Sequence, residues 1–584
     1  MSTRLLIIGG ALTLSIAGLI ALSASVPVRQ GVTPATLVVT NARIVTVEAA
    51  QPEAQAIAIG GDRIVALGTS AEITRYVGPS TQVIDAKGQL VTPGFIEGHG
   101  HFNGVGEAQL NLNLMNVTSW DAIVAMVADA VRTAQPGQWV VGRGWHQEKW
   151  SAPPIPNVEG FPTHASLDRV SPENPVVLTH ASGHASFVNG KAMELSGITR
   201  TTASPAGGEI LKDGDGEPTG LLRETAERLV RESSATPEER LARARKVLEL
   251  ADREVLAKGI TSFQDAGASF ATIDLMKAMV DEGAMGVRLW VMVREGNEAE
   301  APKLAKYRMI DYGAGHLTVR AIKRQIDGAL GSHGAWLLEP YADKPGDVGL
   351  NTDPVADIEE TAAIALDNGF QLAVHAIGDR ANRETLDIYE RAFRAHPQAA
   401  SPRFRIEHAQ LLAPEDVPRF AALHVIASMQ GIHATSDGPW VPTRVGPDRA
   451  RERAYLWRTL LDSGAVVSNG TDCPIEDPDP IANFHASVTR LMKDGRTFYP
   501  EQRMTREEAL RSLTAAAAYA AFEEDVKGSL TAGRYADVTV LTQDLLTIPD
   551  EDILKTKVAM TIVAGRIAYD ARSSVKDPSQ GAAP

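Results

Sequence analysis

The chain has 584 residues, more than one hydrophobic core usually organises, so a large domain with an accessory domain or an insertion is expected. An apolar share of 44% with 22% charged residues is ordinary globular composition, which confines any disorder to the two ends. A formal net charge of -15 without a basic run argues against nucleic acid as a partner, and the single cysteine, Cys473, excludes an internal disulfide and a cysteine-based zinc finger.

In residues 1–30, Arg4 precedes an uncharged, largely apolar stretch over residues 5–26 that ends at Pro27 and Arg29. This reads as an export signal, with Ser23, Ala24 and Ser25 as small residues suited to a signal peptidase. The run is also long enough to stay as a membrane anchor, and a buried N-terminal helix is a third reading. An exported protein, periplasmic or held at the inner membrane facing the periplasm, is the implied setting. Residues 35–92 then carry short apolar runs separated by the turn signals Gly60-Gly61-Asp62 and Ala86-Lys87-Gly88. Residues 525–572 look alike, so the two ends are expected to pair into one β-sandwich.

Between them, across residues 93–524, strand-like runs alternate with amphipathic stretches at the spacing of repeated β/α units. The strands end near His101, Asp265, Val293, Lys323, His375, His408, Gln430 and Asp472, which predicts a (β/α)8 barrel in the α/β class, with its chemistry at the C-terminal strand ends. The interval from His101 to Asp265 far exceeds an ordinary connection, so an insertion over residues 130–225 is expected after the first barrel strand. Its strands are read at 139–144 and 176–179, with a proline-rich loop over 152–162.

His99-Gly100-His101 follows an apolar run, and alternation every second residue sends both imidazoles to one side of a strand end. Two neutral imidazoles are good zinc ligands. His375 and His408 each end a further run, about one β/α unit apart. Either alone is equally a satisfied core histidine, and Asp472, after residues 466–471, is alone equally a helix N-cap. Together, four histidines and an aspartate at barrel strand ends match a metal cage with an acidic general base.

With these residues in place, the chain resembles the amidohydrolase superfamily, and within it amidohydrolase family 3, the YtcJ-like branch that includes N-substituted formamide deformylases. The resemblance runs from about residue 36 to 570. It is carried by Pro93-Gly94-Phe95-Ile96-Glu97-Gly98-His99-Gly100-His101, Ser182-Gly183-His184-Ala185, Gln264-Asp265-Ala266-Gly267, Ile326-Asp327-Gly328-Ala329, Val374-His375-Ala376-Ile377-Gly378-Asp379, Arg405-Ile406-Glu407-His408 and Gly470-Thr471-Asp472. It implies one or two divalent metals, usually zinc. By position, His99 and His101 would hold the more buried ion with Asp472, and His375 and His408 the second. Lys323 matches the place where relatives use a carboxylated lysine to bridge two ions; the alternative is an unmodified lysine contacting substrate or Asp327. The sequence departs from the pattern at Glu97-Gly98, at Ser332-His333-Gly334-Ala335 and at Gln430-Gly431, which spares the ligands and leaves the substrate open.

The mechanism so implied is attack by a metal-activated hydroxide on an amide, cyclic amide, carbamate or N-formyl carbonyl, with Asp472 as general acid and base. His184 is the candidate oxyanion donor, with a structural role as its alternative. Trp145, His146, Trp150, Asp327, His333 and Trp440 are candidates for lining the substrate pocket. A one-metal deaminase of a heterocycle and a non-catalytic binding protein on the same fold are the competing readings. The expected partner is a small amide-type molecule, with membrane attachment through residues 5–26 and oligomer formation left open.

Overall fold

The computed structural model describes residues 32–230, 236–399 and 401–574. Its centre is a ring of parallel strands: β1 (Phe95–Gly100), β2 (Ile260–Ala268), β3 (Arg288–Val293), β4 (Leu317–Gln325), β5 (Gln371–Ala376), β6 (Arg405–His408), β7 (Ile426–Gln430) and β8 (Val467–Gly470). Each pairs in parallel with the next in chain order. All eight expected strands form. Their runs are buried on both faces, as Leu289-Trp290-Val291-Met292-Val293 illustrates, because helices cover the outside and side chains fill the inside. Ala266, Trp290, Met292, Ala321, Ala373 and Ala521 form a cluster of their own, the alanines making room for one indole. The larger cluster joins the strands to helices such as Phe270–Asp281, Val355–Asn368 and Asp379–Ala395.

The first and last strands meet at a seam. There Asp472 donates its backbone N–H to the His99 carbonyl at 2.8 Å, and His101 donates to the Cys473 carbonyl at 2.7 Å. A Cβ at Gly98 would lie 2.5 Å from the Asn469 carbonyl oxygen, so glycine is what this approach admits. Glu97 ties the same seam: its buried carboxylate accepts the Thr471 N–H at 2.6 Å and the Thr471 hydroxyl at 2.9 Å.

Two further sheets are built from the chain ends. One has four strands within residues 37–85; the other joins Leu90–Pro93 antiparallel to Val538–Leu541 and also contains Val558–Val563 and Arg566–Asp570. Both contribute to one apolar cluster that includes Val39, Ile57, Val91, Val538 and Ile562. Between β1 and β2 lies a six-stranded sheet: Leu112–Asn113, Val140–Trp145, Val176–His180, Ala185–Val188, Gly208–Lys212 and Pro218–Glu224. This inserted layer begins upstream of residue 130, because Leu112–Asn113 pairs with Val140–Trp145 and helix Trp120–Val131 packs Trp120, Ile123 and Val127 into the same core. Among the described residues no helix is long and apolar enough to cross a membrane; the expected signal or anchor over residues 1–30 lies outside them.

Candidate metal centre and active site

The barrel supplies the floor of the site. His99, near the end of β1, turns Nδ1 to the carboxylate of Glu407 on β6. Glu407 is in turn gripped by the fully buried Arg405, whose Nε donates to Oε1 at 2.7 Å, while its far nitrogen reaches the Gly98 carbonyl and the Ser428 hydroxyl at 2.7 Å each. Burial opposes the Glu407 charge, but Arg405 and His99 outweigh it and hold the carboxyl well below its ordinary range. With Nδ1 engaged, His99 presents Nε2 to the mouth of the barrel, 3.4 Å from Asp472 Oδ1; His101 Nε2 is 3.2 Å from the same oxygen. His408 has its Nδ1 on Gln430 Oε1 at 2.8 Å and its ring 4.8 Å from that of His99. His375 follows at 4.5 Å from His408, with Nε2 3.5 Å from Asp327 Oδ1.

These groups fit a divalent cation. His99 Nε2, His375 Nε2 and Asp472 Oδ1 are buried without a hydrogen-bond partner, an arrangement that costs free energy unless something outside the chain satisfies it. One ligand atom each from His99, His408 and Asp472 lies within 4.8 Å of the others. Burial keeps His375 and His408 well below the usual imidazole pKa and pushes His101 down to about 4, which favours the neutral, ligating form. For His99, burial and Lys323 work against protonation, but Glu407 and Asp472 win and raise the ring, so its second proton is one a cation would displace. Burial likewise opposes the Asp472 charge, yet the His101 and His99 rings, 3.2 and 3.4 Å away, keep it well below the carboxylate range. Each histidine anchored through Nδ1 repeats a pattern that fixes the tautomer of metal ligands. Lys323, on β4, is buried, and desolvation lowers it to about 8, bringing the neutral amine within reach.

The grouping of ligand atoms differs from the expected one: the trio has His408 where His101 was expected, with His101 Nε2 beside it at 3.2 Å from Asp472. His408 joins His99 and Asp472, while His375 stands one ring further along, toward the insertion.

Above this floor is a cavity of about 450 Å³ lined by His375, His408 and Asp472 from the barrel and by His146, Ser182 and His184 from the inserted layer. Met115, Leu330, Ile377, Ile475 and Trp440 give it a mainly apolar wall. His184 stands 4.9 Å, ring to ring, from His375, with Nδ1 on Glu224 Oε2 at 2.8 Å. Burial opposes a charge on this imidazole, but the Glu224 carboxylate prevails and raises its pKa.

Of the expected pocket residues, His146 and Trp440 line the cavity. Trp145 does not: it is fully buried in the core of the inserted layer, donating Nε1 to the Leu178 carbonyl at 2.7 Å and stacking on Trp150. Trp150 is correspondingly a core residue. His333 faces a neighbouring groove, where Nε2 sits 3.1 Å from Asp343. Asp327 is buried beneath the site and accepts backbone N–H groups from Trp336, Ile377 and Gly378, so it shapes the loop under His375 and does not meet the cavity. Sequence reasoning missed Glu407, Gln430 and Glu224 as partners, and His433, whose unpartnered Nε2 is buried beside the cavity. Gln430 and His433 had a local signal, polar residues at and just past the end of one barrel strand.

A parallel barrel with an unsatisfied histidine and aspartate cluster at its C-terminal mouth defines a metal-dependent hydrolase. Residues 82–569 match the amidohydrolase family, and the chain belongs to that family. It is 33% identical over 548 residues to Protein LONG AFTER FAR-RED 3 of Arabidopsis thaliana, covering 92% of each chain. It is 30% identical to the putative amidohydrolase YtcJ of Bacillus subtilis, covering 85% of this chain and 92% of that one. With an N-substituted formamide deformylase of Arthrobacter pascens it shares 29% identity, covering 92% of this chain and 99% of the other. A solved structure, an uncharacterized metal-dependent hydrolase from Pyrococcus furiosus, superposes with a TM-score of 0.68 at 26% identity, covering 88% of this chain and 100% of that one.

Proposed function

We propose that this protein hydrolyses the C–N bond of a small amide, cyclic amide, carbamate or N-formyl compound in the 450 Å³ cavity. The observation that carries the reading is the set of buried, unpartnered atoms, His99 Nε2, His375 Nε2 and Asp472 Oδ1, at the floor of a mainly apolar cavity. The similarity to an N-substituted formamide deformylase supports an N-formyl group among the candidates. His99, His408 and Asp472 would hold one cation, with His101 beside them; His375 and Lys323, the latter carboxylated, would serve a second, and zinc suits the nitrogen-rich set. Such a cation supplies Lewis-acid polarisation and eases deprotonation of water.

The chain's own groups do the rest. As a water oxygen bonds to the carbonyl carbon, the Asp472 carboxylate takes the proton that water gives up. His184 donates from Nε2 to the carbonyl oxygen, where negative charge develops. Asp472 then delivers its proton to the leaving nitrogen as the C–N bond breaks, releasing an amine and an acid. Trp440, Leu330 and Ile377 exclude bulk water and seat an apolar substituent.

One observation favours a second reading. Among the described histidines, cysteines, aspartates and glutamates only a single trio of ligand atoms lies within 4.8 Å, which suits a one-ion centre and with it the deaminase reading. Purified, metal-replete full chain should be screened against amides, lactams, carbamates, N-formyl amines and amino-heterocycles, reading amine, acid and ammonia. Acid and amine release that is lost on chelation and restored by zinc is expected. Ammonia release alone would favour the deaminase, and full activity in metal-free protein would remove both readings. Export to the periplasm is part of the proposal and rests on residues 5–26. The mass of the mature chain from periplasmic and membrane fractions tests it.

A further inference from the structure

Glu224 stands behind His184, which lines the cavity. It ends strand Pro218–Glu224 with φ 53° and ψ -126°, outside the regions open to residues that carry a Cβ. Strain of this kind persists only where surrounding structure enforces it, and it concentrates at functional sites. Two contacts bind Glu224 to His184: its backbone N–H donates to the His184 carbonyl at 3.0 Å, and its Oε2 receives His184 Nδ1 at 2.8 Å. The other oxygen, Oε1, is buried without a partner. That oxygen fills a hollow which the barrel loop after β4 leaves by having glycine twice. A Cβ at Gly328 would lie 2.0 Å from it and one at Gly334 2.4 Å, and the two glycines are joined by a backbone hydrogen bond of 3.0 Å. The nearest other polar group at His184 Nδ1 is the Gln325 amide, at a long 3.5 Å.

We propose that Glu224 is a positioning residue: cradled by Gly328 and Gly334, its carboxylate takes the Nδ1–H of His184 and so aims Nε2 into the cavity beside His375. The inserted layer thereby sets the catalytic donor against the barrel through one carboxylate. A hydrogen-bonded carboxylate on Nδ1 fixes both the tautomer and the ring plane of an imidazole. The inference rests on the reading of His184 as the carbonyl-oxygen donor. It adds that the donor works only while Glu224 holds it, and that the two glycines are there for the carboxylate.

The test is a double-mutant cycle on the metal-replete full chain, following formate release from an N-alkylformamide, together with proton NMR of the downfield imidazole N–H region. Glu224→Ala should lower kcat by about 100-fold with KM within about threefold and metal content unchanged, on the scale of lost outer partners. Glu224→Gln, which keeps an acceptor oxygen, should recover most of that loss. In a His184→Ala background Glu224→Ala should change nothing further. A merely structural pin would instead lower the rate by the same factor in both backgrounds, which overturns the proposal. Gly328→Ala, which drives the carboxylate from its hollow, should repeat the Glu224→Ala behaviour and serves if that variant misfolds. The NMR arm needs no substrate: a resonance lost in His184→Ala should also be lost or shifted in Glu224→Ala, and an unshifted one overturns the proposal. If His184→Ala turns over at the wild-type rate, the donor role itself is wrong. If His184→Ala is inactive while Glu224→Ala is normal, only the positioning role is.

Discussion

The two halves of the cavity are built on different terms. The barrel half carries His99, His408 and Asp472 on or just beyond strand ends, with His99 backed by a column of buried charge running from Arg405 through Glu407. The inserted half carries His146 and His184 on a separate sheet with its own core, reaching the barrel through contacts such as Glu224 in its glycine hollow. The barrel half presents buried ligand atoms without partners, whereas His184 of the inserted half is held by Glu224, a carboxylate of its own layer. On the proposed reading, ligation rests on the barrel, while the inserted layer shares the cavity wall with the barrel's own loops.

That division can be broken most sharply at Asp472. Asp472→Asn should lower turnover by about 10³-fold or more while circular dichroism and melting stay near wild type, since proton transfer by a placed carboxylate is worth about 10²–10⁴. Retained activity would remove it as proton carrier. Lys323→Ala comes next: metal content by mass spectrometry should fall toward one ion per chain, with unchanged two-ion occupancy counting against a bridge. Glu407→Gln should weaken zinc binding by about 10- to 100-fold in competitive chelator titrations, because it loosens His99 without touching the cation. His146→Ala should raise KM by about tenfold and leave kcat nearly unchanged, the mark of lost uniform binding. The smallest effect is assigned to His333→Ala, which should leave kcat/KM within about twofold of wild type, its ring being occupied with Asp343 away from the cavity.

The same contrast explains what could be read in advance. Barrel strands and their terminal histidines were legible because each is local: an apolar run buried on both faces, then a polar residue at the open end. Partners were not. His99 and Glu407 stand 308 residues apart, and no pattern within either segment announces the pairing. Trp145 was misplaced for a simpler reason. It and His146 are neighbours at a strand end, and successive side chains point to opposite faces, so the histidine meets the cavity while the indole goes into the inserted core. The upstream start of the inserted layer escaped notice because its first strand is only two residues long.

The seam between β1 and β8 has a thermodynamic meaning of its own. His99 and His101 sit on one edge of the ring, Asp472 on the other, and the chain between them includes every other barrel strand. Whatever binds across those three side chains therefore clasps the first strand made to the last, and it has nothing comparable to hold in an unfolded chain. Melting temperature should accordingly climb with free zinc concentration, the gain reaching about 2.7 kcal/mol once zinc stands a hundredfold above its dissociation constant. On the proposed reading, the stability of the fold follows the supply of cation.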